Sequence, residues 1–297
     1  CKLYHQGLVA GDLCSPLCDF GQIQLIECGT ARHVQKRVMK VSCSDACSRG
    51  NTIQAFLKTD VTDIREALRN LPEWQKPKYG DINDASRNLI QTYVMEHVGF
   101  NPYEDLDILT VVWGHGQVTE QDVQHVQYAS AVWRSLSLLL PRKGNSEYVM
   151  AKLFQRWRIF PEVFGSCGHF YVEESCPPRP PDWIPPELDH LGRRQASWIR
   201  RAGDALNALA FLERMETELP DKLVGCDIKI DNFGFCGDGD LRIIDSNSFF
   251  FNSATSFLET KPCTVEGAAC KVYGRKCMGT CDALRGKCVI KDSVNLE

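Results

Sequence analysis

The sequence predicts an α+β protein built in two parts, and three observations point there. Short β-like runs open the chain. A helical stretch fills its middle before two more β-like runs at 159–175. A connector at 176–186, "CPPRPPDWIPP", then holds six of the fourteen prolines and hands the chain to a long amphipathic helix and a polar hairpin. The boundary divides residues 1–174 from 175–297.

Each element follows from its pattern. "QIQLIEC" (22–28) and "KRVMKVSC" (36–43) read as strands around a turn at "GTAR". A helix at about 62–72, "TDIREALRNL", opens on an Asp63/Glu66 capping pair, and another fits "ASRNLIQTYVMEHV" (85–98), with Leu89, Tyr93 and Val94 on one face. A long helix starts near Thr119, and a further one covers 146–158. "IFPEVFGSCGHFYVEES" (159–175) gives two strands around a glycine-rich turn. "QASWIRRAGDALNALAFLERMETEL" (195–219) is amphipathic and delivers the chain into "LVGCDIKIDNFGFCGDGDLRIIDSNSFFF" (223–251).

Composition narrows the class. The 297 residues are 43% hydrophobic and 24% charged, with a net charge of −4, which suits a globular chain and argues against nucleic acid as the main partner. No apolar run approaches the roughly 18 residues that a membrane span needs. Fifteen cysteines cluster at the start, the centre and the end. Three pairs, 14/18, 43/47 and 277/281, have C-x3-C spacing rather than the C-x2-C of zinc sites, and the few histidines do not follow them. Disulfides and the secretory route are the expectation, and the odd count implies a free thiol or a partner outside the chain. The chain opens without Met, so a preceding segment is expected.

The chemistry concentrates in 223–251. Phosphoryl transfer needs a carboxylate near the attacking hydroxyl, oxygen ligands for magnesium and a cation on the phosphates. Asp227, Lys229 and Asn232 form D-x-K-x-x-N, the catalytic-loop spacing of protein kinases, and Asp245 follows the apolar run "LRII". Asn232 and Asp245 are oxygen donors, as a hard cation requires. The bland alternative is a β-hairpin turning at "CGDGD" with its polar residues in water.

In order, "YHQGLVAGDLCSPLC" (4–18), "FPEVFGSCGHFYVEES" (160–175), "GCDIKIDNFGF" with "IIDSNSF", and "CMGTCDALRGKC" (277–288) resemble the divergent protein kinase domain family, type 1, the cysteine-rich kinase-like proteins of the endoplasmic reticulum. The resemblance spans essentially the whole chain. It implies a two-lobed kinase-like fold with disulfide-rich ends, ATP with Mg2+ or Mn2+, and a protein substrate or partner in the secretory pathway. It also implies residence in the reticulum lumen, or secretion, with a type II membrane anchor outside this chain. Carried onto these residues, Asp227 is the catalytic base, Lys229 touches the transferred phosphate, and Asn232 and Asp245 bind the metal. Lys40, in "RVMKV", takes the place of the N-lobe lysine. Glu147 is its glutamate partner, with Glu66 the competitor nearer in sequence. Gly7 and Gly11 stand in the place of a phosphate loop, without G-x-G-x-x-G spacing.

The family's EF-hand-like insert falls within about 85–140, with a loop frame at Val111–Asp122. Val111, Trp113 and His115 stand where calcium needs oxygen ligands, so no calcium is expected there. Three departures keep a pseudokinase or interaction module open: Gly225-Cys226 precedes Asp227 in place of His-Arg, Ser246-Asn247 follows Asp245 in place of Phe-Gly, and Ala-Pro-Glu is absent. Only 297 − 245 = 52 residues follow Asp245, which implies either a shortened second lobe or a longer intact protein.

Overall fold

The computed structural model describes residues 1–28, 37–47, 51–59, 61, 64–69, 71, 82–103, 106–113, 126–140, 146–178, 191–226, 228–257, 262–272 and 277–289. It divides into two compact units. The first comprises Cys1–Leu153 and Glu162–Ser175, and the second Phe154–Pro161 and Cys176–Glu297.

The first unit opens with two short helices, α1 (Lys2–His5) and α2 (Cys14–Cys18), and three strands, β1 (Ile23–Cys28), β2 (Arg37–Cys43) and β3 (Ile53–Thr59). β3 is absent from the two-strand expectation for this region; its apolar run Ala55-Phe56-Leu57 breaks the alternation that marks β1 and β2. The "GTAR" turn lies outside the described residues. Helices α3 (Ile64–Arg69), α4 (Ile82–His97), α5 (Ile108–Trp113), α6 (Val126–Leu139) and α7 (Glu147–Leu153) follow, then β4 (Val163–Cys167) and β5 (Phe170–Glu174). The expected helix at 146–158 stops at Leu153. A 3-10 turn over Gln155–Trp157 and a left-handed Arg158 (φ 55°) follow it. Val111 and Trp113 lie in α5; Asp63, His115 and the rest of the EF-hand-like frame to Asp122 lie outside the described residues.

The five strands form one antiparallel sheet in the order β1-β2-β3-β5-β4. Side chains alternate across it. Ile23, Val41, Cys43, Ala55, Leu57 and Val172 join Leu13 in one buried apolar cluster. The other face carries Phe56, Lys58, Tyr171 and Glu173, because Phe56 pairs with Glu173 and Lys58 with Tyr171.

β4 is an edge strand, and the N-terminal segment caps it. The Leu13 N–H donates to the Ser166 carbonyl at 3.0 Å, and the Asp12 carboxylate accepts the Ser166 N–H at 2.7 Å. The edge is thereby satisfied within the chain. Burial raises the Asp12 carboxyl above its ordinary range against the lowering by the Ser166 N–H and Lys152. Two glycines permit the close approach. A Cβ on Gly11, whose φ is +151°, would lie 2.1 Å from the Ser166 carbonyl oxygen, and one on Gly165 would lie 2.4 Å from Asp12 Oδ1. The Cys14–Cys167 disulfide locks the same contact across a sequence separation of 153.

The second unit holds α8 (Leu191–Thr217) and two small ladders: β6 (Leu223–Gly225) with β9 (Phe249–Phe251), and β7 (Phe233–Phe235) with β8 (Leu241–Ile243). Phe211 on α8 meets Phe233 edge-on, and Phe233 meets Phe249 likewise, with centroids 6.0 and 5.9 Å apart. The hairpin turn at Cys236–Asp240 closes through Gly239 N–H to the Cys236 carbonyl. The Cys176 carbonyl lies where a Gly234 Cβ would be, at 2.0 Å, so only glycine admits the connector beside β7. Most of the proline connector, residues 179–186, lies outside the described residues. A three-stranded antiparallel sheet ends the unit: β10 (Ala269–Val272), β11 (Cys277–Asp282) and β12 (Lys287–Val289).

Six disulfides join described residues: Cys1–Cys18, Cys14–Cys167, Cys43–Cys47, Cys176–Cys236, Cys263–Cys281 and Cys270–Cys288. Of the C-x3-C pairs, only 43/47 is bonded to itself. Cys226 is also disulfide-bonded, and Cys28 is a free, exposed thiol.

Two consequences are testable. Gly11→Ala is expected to lose roughly 1–3 kcal/mol of stability, measured by chemical denaturation, because the new methyl meets backbone in a conformation that L-residues avoid. Burial holds His169, in the β4–β5 turn, down to about 4. The unfolded chain takes up that proton below about 6.5, so stability falls as pH drops from there towards 4. His169→Gln is expected to flatten that decline in denaturant midpoints.

Candidate functional site

In the first unit the site is built from two strands and one helix. Ser146 caps α7: its Oγ accepts the Val149 N–H at 3.2 Å and donates to the Leu139 carbonyl at 2.8 Å. The Ser146 N–H donates to the Tyr93 hydroxyl, which ties the cap to α4. Glu147 is therefore the first residue of a helix whose start is determined at three points. β3 and β5 bring Lys58 and Glu173 to one face as diagonal neighbours, within reach of long side chains.

The result is a buried charge cluster. Lys58 Nζ lies 2.5 Å from Glu173 Oε1 and 3.3 Å from Glu147 Oε2, and the three side chains are only 6%, 4% and 5% exposed. The Tyr171 hydroxyl donates to the same Glu147 oxygen at 3.0 Å. Burial lowers the basicity of Lys58, but the charges of Glu173 and Glu147 outweigh it, so its pKa stands above the ordinary lysine value. Lys58 is thus a held ammonium rather than a neutral amine.

The lysine that meets Glu147 is not the expected Lys40. Lys40 lies half-buried on β2, opposite Glu27 and Phe56, and among the described residues no carboxylate pairs with it. The cation that meets Glu147 is Lys58, one strand further along. The reason is geometric: α7 packs against β4, so Glu147 overhangs the β3–β5 side of the sheet and not β2. Glu66 is exposed on α3. Gly7 follows α1, its N–H donating to the Tyr4 carbonyl, and Gly11 lies against β4. The run Ala55-Phe56-Leu57-Lys58 was the available signal, an apolar strand ending in lysine like the kinase V-A-I-K.

In the second unit the two ladders gather the polar residues. The β6–β9 ladder continues through the Cys226 N–H to the Ser248 carbonyl at 2.8 Å. The β7–β8 ladder continues through the Ile244 N–H to the Asn232 carbonyl at 2.8 Å. Asn232, buried, and Asp245, half-buried, consequently stand at neighbouring positions at one ladder end. Lys229 is exposed, and its carbonyl accepts the Asn232 N–H at 2.9 Å. Asp227 lies outside the described residues; its neighbour Cys226 is buried. The Asn247 N–H approaches Asp245 Oδ1 at 3.5 Å, and Ser246 is buried where kinases carry phenylalanine.

A family profile described as the protein-kinase domain of FAM69 matches residues 139–295, and one described as the N-terminal cysteine-rich ER region of FAM69 matches residues 1–111. The chain belongs to the FAM69 family. It is a kinase-like, cysteine-rich protein of a family assigned to the endoplasmic reticulum. The lysine and glutamates of this FAM69 chain come from different matches: Lys58 falls within 1–111, whereas Glu147 and Glu173 fall within 139–295. No helix among the described residues is long and apolar enough to cross a membrane.

Removing the cation of a buried pair strands its partners. Lys58→Met is expected to cost about 3–5 kcal/mol at neutral pH, with partial recovery as pH falls into the carboxylate range. In the wild type the raised pKa works in the opposite window. The contribution of Lys58 is complete below the unfolded lysine value of about 10.4 and declines only as pH rises above it. Urea titrations of both proteins at acid, neutral and alkaline pH check this.

Proposed function

We propose that this FAM69 chain binds ATP with Mg2+ or Mn2+ and transfers phosphate to a protein in the lumen of the endoplasmic reticulum, its two units being the lobes of a kinase-like fold. The observation that carries the reading is the buried Lys58–Glu147 pair, formed between a β3 lysine and a helix glutamate as in active protein kinases. Lys58 would take the nucleotide phosphates. The anchor would be a type II membrane segment outside this chain.

The donor set fits a hard divalent cation. Asn232 and Asp245 both offer oxygen, and Asn232 stands opposite Ile244, the residue before Asp245. Bound there, the cation would neutralise phosphate charge. The residues of this chain do the rest. Lys229 would contact the transferred phosphate, and Asp227 would accept the proton of the attacking hydroxyl.

One observation favours a second reading, a pseudokinase that holds nucleotide without transfer. Cys226, directly before Asp227, is committed to a disulfide where kinases carry arginine.

Thermal shift with MgATP tests the binding. A ligand specific to the native state, at about 100 times its Kd, adds roughly 2.7 kcal/mol of stability. We expect stabilisation of the wild type, its loss in Asp245→Ala, and loss of radiolabelled phosphate transfer but not of the shift in Asp227→Ala. A shift without any transfer in the wild type selects the pseudokinase, and no shift at any concentration sinks both readings.

A further inference from the structure

The Lys–Glu pair of protein kinases needs one carboxylate. Here Lys58 has two, and the shorter contact, at 2.5 Å, is to Glu173 rather than to Glu147 at 3.3 Å. Glu173 is delivered by strand register: Phe56 stands opposite it and Lys58 opposite Tyr171, so it reaches Lys58 diagonally across the same face. Glu147 meanwhile has a second donor, the Tyr171 hydroxyl at 3.0 Å.

Charge makes this arrangement specific. Glu147 alone would neutralise Lys58. Glu173 is a second carboxylate on the same ammonium, and all three side chains are only 4–6% exposed. Two carboxylates brought to one desolvated cation repel each other and any further anion. A phosphate arriving at this ammonium meets an anion already bound to it.

We propose that Glu173 is an internal anionic ligand of Lys58 that competes with the nucleotide phosphates and so limits the affinity of this chain for them. The role rests on the reading of Lys58 as the phosphate-binding lysine. Glu173 acts here through Lys58, as a positioning residue. When a phosphate takes the ammonium, the Glu173 carboxylate gives up its contact, while Glu147 keeps its bond from Tyr171.

The test compares MgATP and adenosine binding by calorimetry to the oxidised, disulfide-intact chain, as wild type, Glu173→Gln, Glu147→Gln and Lys58→Met. Glu173→Gln keeps the side-chain shape and removes the charge. It is expected to tighten MgATP on the order of tenfold while leaving adenosine unchanged. Glu147→Gln is expected to weaken MgATP, and Lys58→Met to abolish its phosphate-dependent part. Appearance of MgATP binding in Glu173→Gln where the wild type shows none also supports the proposal. Wild-type binding with no gain in Glu173→Gln, or an equal gain for adenosine, overturns the role of Glu173 and leaves the nucleotide reading intact. No MgATP binding in the wild type or any variant overturns both, and wild-type binding indifferent to Lys58→Met removes Lys58 from the phosphates and Glu173 with it. Should Glu173→Gln fail to fold, Glu173→Leu, apolar and of similar size, is read by the same criteria.

Discussion

An ammonium buried in a protein is tolerated only where carboxylates meet it, and Lys58 is buried to 6% exposure between two of them. Much of the first unit can be traced to that requirement. Glu147 is available because Ser146 starts α7 at one residue and Tyr93 holds the cap from α4. Glu173 is available because the β3–β5 register puts it two positions from the partner of Lys58. A slip of one residue in that pairing would turn Lys58 or Glu173 to the apolar face, where Leu57 and Val172 now pack.

The opposite constraint, an edge strand that must not stay open, explains why a cysteine-rich N-terminus belongs to a kinase-like unit. Asp12 and Leu13 complete the hydrogen bonding of β4 at Ser166, Gly11 and Gly165 give room for the approach, and Cys14–Cys167 makes it permanent. The two FAM69 matches therefore do not correspond to two separate structures. β1–β3 and the capping segment lie in the cysteine-rich match, β4, β5 and α7 in the kinase match, and together they make one sheet unit with one charge cluster.

In the second unit the same economy of backbone serves the polar loop. Two three-residue ladders, each continued by a single hydrogen bond at Cys226–Ser248 and Asn232–Ile244, fold the 223–251 stretch back on itself. Gly225 stands where kinases carry histidine, and a Cβ there would lie 2.8 Å from Ile228 Cγ1. This departure from the kinase pattern thus has a local packing reason that is independent of catalysis.

Local pattern was enough for much of this architecture. Alternation in "QIQLIEC" and "KRVMKVSC", amphipathicity in α8, and the "GDG" turn each carry their structure within a few residues, because side-chain period and turn chemistry are local properties. The family resemblance rested on motif order, also a one-dimensional property. What the sequence could not decide was partnership. Lys40 and Lys58 both end apolar runs, and only the sheet order and the position of α7 choose between them. Cys14 and Cys18 look like a pair at C-x3-C spacing, yet bond to Cys167 and Cys1. Glu173 had no motif at all. Its proximity to Lys58 arises from pairing between strands more than a hundred residues apart (173 − 58 = 115), and only the folded sheet brings those two charges within 2.5 Å.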